Sequence, residues 1–220
     1  MIDSVRAAEF AEVMRPRVAE LLEARTPVVA LCFIERLPLW KEAEPAAPTE
    51  MRPEVFNNLR RSGNVFSKVW AASYQLFLGG DNKPPAGPNF SGDPNKREKY
   101  KQSNRAFWGG WNSLAGQLEA ATQPRSGWLC IHSFLVLSPE HLQVFYAPSA
   151  QATEYEVGEG AQAGRQIPRS RLSWIRKHHK KEGCFEFGFD DGSWCTLYLP
   201  AHEEAMPQIP GILAAGASTP

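Results

Sequence analysis

Residues 184–199 read CFEFGFDDGSWCTLYL. Phe185, Phe187 and Phe189 alternate before Asp190-Asp191-Gly192, and Cys195, Leu197 and Leu199 alternate after it. Successive side chains of a strand point to opposite faces, so each run is a strand with one apolar face and the pair is a hairpin. Turn length then fixes the register. A three-residue turn with Gly192 left-handed sets Phe187 opposite Cys195 and Phe185 opposite Leu197, bringing both apolar faces to one side. A two-residue turn slips the register by one and loses that agreement. Asp190 and Asp191 are adjacent carboxylates, but a turn that wants Asp and Gly explains them without catalysis.

Just upstream, residues 128–137 (WLCIHSFLVL) and 142–146 (LQVFY) flank the turn-like Ser138-Pro139-Glu140-His141 and form a second hairpin. The polar, glycine-rich residues 149–164 read as a loop, and Ile167 to Lys177 as one further strand through Leu172, Trp174 and Ile175. After the last hairpin, Ala201 to Met206 has room for one or two helical turns before Pro207 and Pro210 end it.

Toward the N-terminus, Val5, Phe10, Val13, Met14, Val18, Leu21 and Leu22 recur at three- and four-residue steps, which predicts an amphipathic helix from Ser4 to about Ala24. Pro16 should kink or restart it. Val28 to Leu37 (VVALCFIERL) is a buried strand by composition, and Pro38 to Arg52 a linker or exposed loop. A second helix is expected on Val55, Phe56, Leu59, Phe66, Val69, Trp70, Ser73 and Phe77, stopped by Gly79-Gly80. Asp81 to Asp93 is irregular, Pro94 to Arg105 basic, and Asn112 to Ala121 a short helix behind Phe107-Trp108-Gly109-Gly110-Trp111.

The 220 residues suit one domain, or a modest domain with a large insertion. A hydrophobic fraction of 43% with seven Trp and twelve Phe is enough for a core. Lys plus Arg equals Asp plus Glu at 24 each, so any electrostatic binding must be local. Cys32, Cys130, Cys184 and Cys195 lack metal-ligand spacing and read as buried free thiols of a reducing cytoplasm. The start of the chain lacks a signal-peptide layout and no apolar stretch reaches the ~18 residues of a membrane span. The expectation is a cytoplasmic protein, peripheral to a membrane at most.

The order of elements resembles bacterial pleckstrin-homology-like (PH-like) domains, including their GRAM-type relatives. The resemblance rests on Leu137 to Phe145 (LSPEHLQVF), Ile167-Pro168 through Leu172 and Ile175, and Asp191-Gly192 ahead of Thr196-Leu-Tyr-Leu199. The family's opening strand falls on Val28 to Leu37, and a closing helix should follow the last hairpin. The resemblance implies an α+β chain: an N-terminal helix over residues 1–25, one PH-like domain over 26–210 built as a partly open antiparallel barrel or sheet, a long helical and loop insertion at about 38–125, and a flexible tail over 211–220. The closing helix is shorter, and the insertion longer, than the family's usual pattern. Such a domain binds phospholipid head groups or peptides and carries no catalytic site or cofactor.

Two stretches are candidate binding sites. Arg176, Lys177, His178, His179, Lys180 and Lys181 lie between two expected strands, where six cationic groups on one turn can meet phosphates. His178 and His179 have no third ligand at metal-binding spacing, so no metal is expected. Lys96, Arg97, Lys99 and Tyr100, with Trp108 and Trp111 just beyond, suit a protein-docking insertion. The same basic and aromatic mixture over 96–111 can bind single-stranded nucleic acid, against which the neutral total charge argues. No GxSxG, P-loop, GxGxxG or HExxH motif is present. The expectation is a non-enzymatic adaptor that docks a protein partner or an anionic lipid surface. Its rival is an enzyme with a pocket between insertion and barrel, lined by His132, His141 or His202 beside carboxylates.

Overall fold

The C-terminal hairpin forms as its alternation requires. In the computed structural model, which describes residues 3–22, 28–35, 47–56, 107–126, 130–149, 157–178 and 181–202, strands β7 (Cys184–Phe189) and β8 (Trp194–Tyr198) pair with Phe187 opposite Cys195 and Phe185 opposite Leu197. Gly192 has a φ of 77°, and the Phe189 amide donates to Ser193 O across the three-residue turn. The hairpin around residues 138–141 also forms, from β3 (Ile131–Leu137) and β4 (His141–Pro148), with Leu137 opposite Leu142.

The chain is α+β, with two four-stranded antiparallel sheets and, among the described residues, no closed barrel. The first sheet runs β1 (Ala30–Ile34), β3, β4, β5 (Gln162–Pro168). The second runs β2 (Phe107–Trp108), β8, β7, β6 (Leu172–Lys177). A bridge between Glu35 and Tyr198 ties the end of β1 to β8 and so joins the sheets at one corner.

Alternation explains the layers. On the first sheet Ala30, Cys32, Ile34, Leu135, Leu137, Val144 and Tyr146 face the second sheet, where Ile175, Phe185, Phe187, Phe189, Cys195 and Leu197 meet them. Leu31, Phe33, Phe134, Val136, Phe145 and Ala147 face the other way, against helix α1 (Ser4–Leu21). Because both faces of this sheet are covered at β1, β3 and β4, those three strands read as continuous apolar runs, unlike the solvated edge strand β5. Helix α2 (Leu114–Ala121) sets Ala115, Leu118 and Ala121 into the core between the sheets, and the Tyr146 hydroxyl donates to Ala121 O at 2.8 Å.

Several expectations are corrected. Residues 167–177 are not one strand: Pro168 ends β5, a 3₁₀ turn over Arg169–Arg171 follows, and the chain crosses to the second sheet. Gln162 to Gly164 belong to β5 rather than to a loop. The opening strand is shorter than 28–37, and residues 36–37 lie outside the described residues. Helix α1 does not restart at Pro16, and it buries Ala7, Phe10, Ala11, Met14 and Val18 while Val5, Val13 and Leu21 are exposed. Ala7 and Ala11 let the helix lie close to the sheet, which moves the buried stripe away from the larger valines. The linker expected up to Arg52 carries a 3₁₀ turn at Thr49–Met51 and a buried Ala47. The second helix does not start at Val55: its amide donates to Arg125 O, and Phe56 has a φ of 55°. The rest of that helix, residues 81–93 and the tail from 203 lie outside the described residues. Cys32, Cys184 and Cys195 are buried and in no disulfide, but Cys130 is exposed.

Candidate docking face

The second sheet turns Phe185, Phe187 and Phe189 inward, so Cys184, Glu186 and Gly188 point outward, as do Trp194, Thr196 and Tyr198 of β8. The register then lines up a row across all four strands. Trp108 on β2 stands opposite Trp194, Trp194 opposite Gly188, and Gly188 opposite Trp174 on β6. Trp174 lies flat on Gly188: a Cβ built there would meet the indole Cε2, Nε1 and Cζ2 at 2.0, 2.3 and 2.4 Å. The Arg176 guanidinium sits over the same ring, 4.6 Å from its centroid. Trp174 is thus held between a glycine and an arginine.

The next row ties that arginine down. Arg176 Nε donates to Glu186 Oε2 from the neighbouring strand, and His178 Nε2 is 4.0 Å from the other carboxylate oxygen. The Glu186 side chain is 9% exposed, whereas Arg176 is 66% exposed. Trp108 is 53% exposed and Trp194 half-buried. Cys184, Glu186, Gly188 and Thr196 on the same face are buried, so the face exposes the Trp108 indole, part of the Trp194 indole and one oriented guanidinium.

The described residues of the basic run do not all lie on one turn. Arg176 and Lys177 belong to β6, His178 continues it by donating its amide to Cys184 O, and His179 and Lys180 lie outside the described residues. Lys181 is half-buried beside Cys184; burial pushes its ammonium below the usual lysine range, and Cys184 opposes that shift. Burial pushes the Cys184 thiol up to about 11, with Lys181 working the other way. Of the insertion residues, Lys96, Arg97, Lys99 and Tyr100 lie outside the described residues. Trp108 joins the row, and Trp111 does not: its ring packs on Phe107, 4.6 Å between centroids, at the start of α2. Two candidate sites about seventy residues apart in sequence thus contribute Trp108 and Arg176 to one face.

The turn carboxylates are structural. Asp191 accepts from the Leu114 amide at 2.9 Å and from the Ser193 amide and hydroxyl, and the Ser193 hydroxyl accepts from Ala115. With the Ser113 side chain accepting from Gly116, these groups cap the start of α2. Asp190 pairs with Arg171.

The residues of the enzyme reading do not converge. His132 packs between Phe10 and Phe33, His141 opens β4, and His202 stacks near Phe185 with its Nδ1 3.2 Å from Leu199 O. An open groove of about 460 Å³ is lined by Arg52, Thr122, Gln123, Pro124, Arg125, Ser126 and Ile131, none of them a histidine or a carboxylate. Among the described residues no three His, Cys, Asp or Glu side chains come together as a metal site, and no helix is long and apolar enough to cross a membrane. No protein-family model matches the sequence, and no curated protein is similar to it.

Proposed function

We propose that this chain is a non-enzymatic binding protein of PH-like architecture that docks a protein partner on the outer face of its second sheet. The carrying observation is the row Trp108, Trp194, Gly188, Trp174 with Arg176 stacked at its end. Trp and Arg are among the side chains most enriched where protein interfaces draw their energy, Trp because it offers a large contact area with little freedom to lose and Arg because its planar fork makes several oriented hydrogen bonds. The PH-like part is supported by the strand order. One antiparallel meander, β1-β3-β4-β5, is followed by a second, β6-β7-β8, and the two meet at Glu35 and Tyr198. Helix α2, from the segment between β1 and β3, packs into the core between the two sheets; the closing helix expected over Ala201 to Met206 lies, beyond residue 202, outside the described residues.

A protein partner is favoured over an anionic lipid by what the cations already do. Among the described cations of the run, Arg176 has its Nε engaged with Glu186, His178 faces the same carboxylate, Lys181 is half-buried, and exposed Lys177, opposite inward-facing Phe185, turns to the other side of the sheet, so they do not gather on one surface. A membrane-binding loop instead presents its charges freely to water.

The test places a photo-crosslinking benzoylphenylalanine at position 108 of the full chain in the cells that express it. A discrete cross-linked protein, lost on Trp194→Ala, is the expected result. Recovery that is unaffected by Trp194→Ala overturns the reading. So does co-sedimentation with anionic but not neutral vesicles that disappears at ~0.5 M salt, where screening shortens electrostatic reach to a few ångströms.

A further inference from the structure

Trp174, Arg176 and His178 alternate along β6 and its continuation, across from Gly188, Glu186 and Cys184 of β7, so all three belong to the outer face of the second sheet. Glu186 stands between the two basic side chains. Its Oε2 accepts from Arg176 Nε, and its Oε1 is 4.0 Å from His178 Nε2. That separation is too long for a hydrogen bond, which needs about 3.2 Å or less. The Glu186 and His178 side chains are 9% and 11% exposed, so water and salt screen their attraction little. The contacts are continuous: indole under guanidinium, guanidinium on one carboxylate oxygen, imidazole facing the other.

Counting charges shows what a proton would change. With a neutral imidazole, Arg176 and Glu186 balance each other. With an imidazolium, two cations share one carboxylate and the patch carries one net positive charge. An imidazole makes that change between about pH 5 and 8. The carboxylate favours the charged form and burial opposes it. The neighbouring groups hold their charge through that window. Burial pushes the Cys184 thiol up to about 11, and burial, followed by Glu35, Cys184 and Glu182, raises the Tyr198 phenol opposite it, so both stay neutral. Lys181 and Glu182, in the turn before β7, carry opposite charges.

We infer that His178 is a proton-operated control on the docking face, an inference that rests on the docking reading. On gaining a proton its imidazole closes onto Glu186 Oε1 and loosens the hold of that carboxylate on Arg176. The face is then left with a positive charge that an apolar partner must desolvate. Docking is strongest with His178 neutral and weakens as pH falls through the imidazole range.

The experiment has two arms, both on the full-length chain. In the first, nitrogen-15 NMR follows the Arg176 Nε–H signal, identified by its loss in Arg176→Lys, across about pH 5 to 8. It should shift along a single-proton curve that is absent in His178→Gln, a variant first checked for cooperative melting. A flat Arg176 signal, or the same curve in His178→Gln, overturns the inference. In the second, benzoylphenylalanine at position 108 is irradiated in clarified lysate at about pH 7.5 and about pH 6. An ordinary imidazole of about 6.5 is ~90% neutral at the first and ~25% at the second, so capture should fall about threefold in the parent chain. In His178→Gln it should stay level. Capture that is level in the parent, rises at the lower pH, or falls equally in His178→Gln overturns the inference and leaves the docking reading standing. No capture at either pH overturns the docking reading, and the control falls with it.

Discussion

Gly188→Ala should disturb the candidate face more than any other single methyl group. A Cβ at that position meets three atoms of the Trp174 indole at 2.0–2.4 Å, so the ring must leave. Lifting it uncovers on the order of 50–100 Å² of apolar surface, about 1–2.5 kcal/mol at roughly 25 cal/mol per Å². It also breaks the stack with Arg176, worth about 0.5–1 kcal/mol at a surface site. Alanine in an unstrained position returns about 0.4–1 kcal/mol by restricting the unfolded chain. The balance is a loss of about 1–3 kcal/mol, or roughly 2–12 °C in Tm for a chain of this length. The assay is urea and thermal unfolding of a double-mutant cycle with Trp174→Ala. With the indole gone, only the backbone gain remains, so Gly188→Ala should turn neutral or stabilising. The same loss in both backgrounds, or none in the parent chain, would refute the idea that Trp174 rests on this glycine.

Three further outcomes can be checked. Asp191→Ala should cost about 1–2 kcal/mol at neutral pH, as loss of a helix cap does, and more than Asp190→Ala, which removes only an exposed ion pair. Burial works to raise the Asp191 carboxyl, but hydrogen bonds from the Leu114 amide and from Ser193 outweigh it and hold it below the usual range. Its contribution is therefore present above the ordinary aspartate value of about 3.9 and is lost as pH falls through the lower folded value, so parent and Asp191→Ala melting curves should converge in acid. Tyr146→Phe leaves Ala121 O without its buried donor and should cost about 1–2 kcal/mol, read by urea unfolding. In the native protein a thiol reagent should modify Cys130 rapidly and Cys32, Cys184 and Cys195 only after denaturation, since those three are buried; fast modification of a second thiol would contradict the packing.

What the sequence made legible was local. Both hairpins follow from two-residue periodicity and turn chemistry, and the register Phe187 to Cys195 rests on the Asp-Asp-Gly turn alone. Where one apolar run serves two sheets, pattern gives no warning: Ile167, Leu172 and Ile175 all face the same core, yet a 3₁₀ turn without glycine separates them. Strand β5 was hidden because its alternate positions are solvated, so Gln162 to Gly164 read as loop. The tryptophan row was half visible. Gly188 opposite Trp194 is implied by the hairpin register, but Trp174 reaches its place through a bulge between Leu172 and Trp174, and Trp108 through a two-residue strand that exists only because β8 offers it an edge. Non-local pairings of that kind leave no period to read.

The cap on α2 also sets an order of events. Residues 189–193 close a contact of short sequence separation, which forms early because little loop entropy is lost. Leu114 and Ala115 find their acceptors on Asp191 and Ser193 more than seventy residues away, and those acceptors are in position only after the hairpin has closed. Helix α2 should therefore dock after the hairpin has closed. Kinetically, Asp191→Ala removes both the turn bonds from Ser193 and the later bond from Leu114, so it should slow refolding and speed unfolding together, a fractional φ-value, whereas Ser113→Ala, which touches only the cap, should act mainly on unfolding.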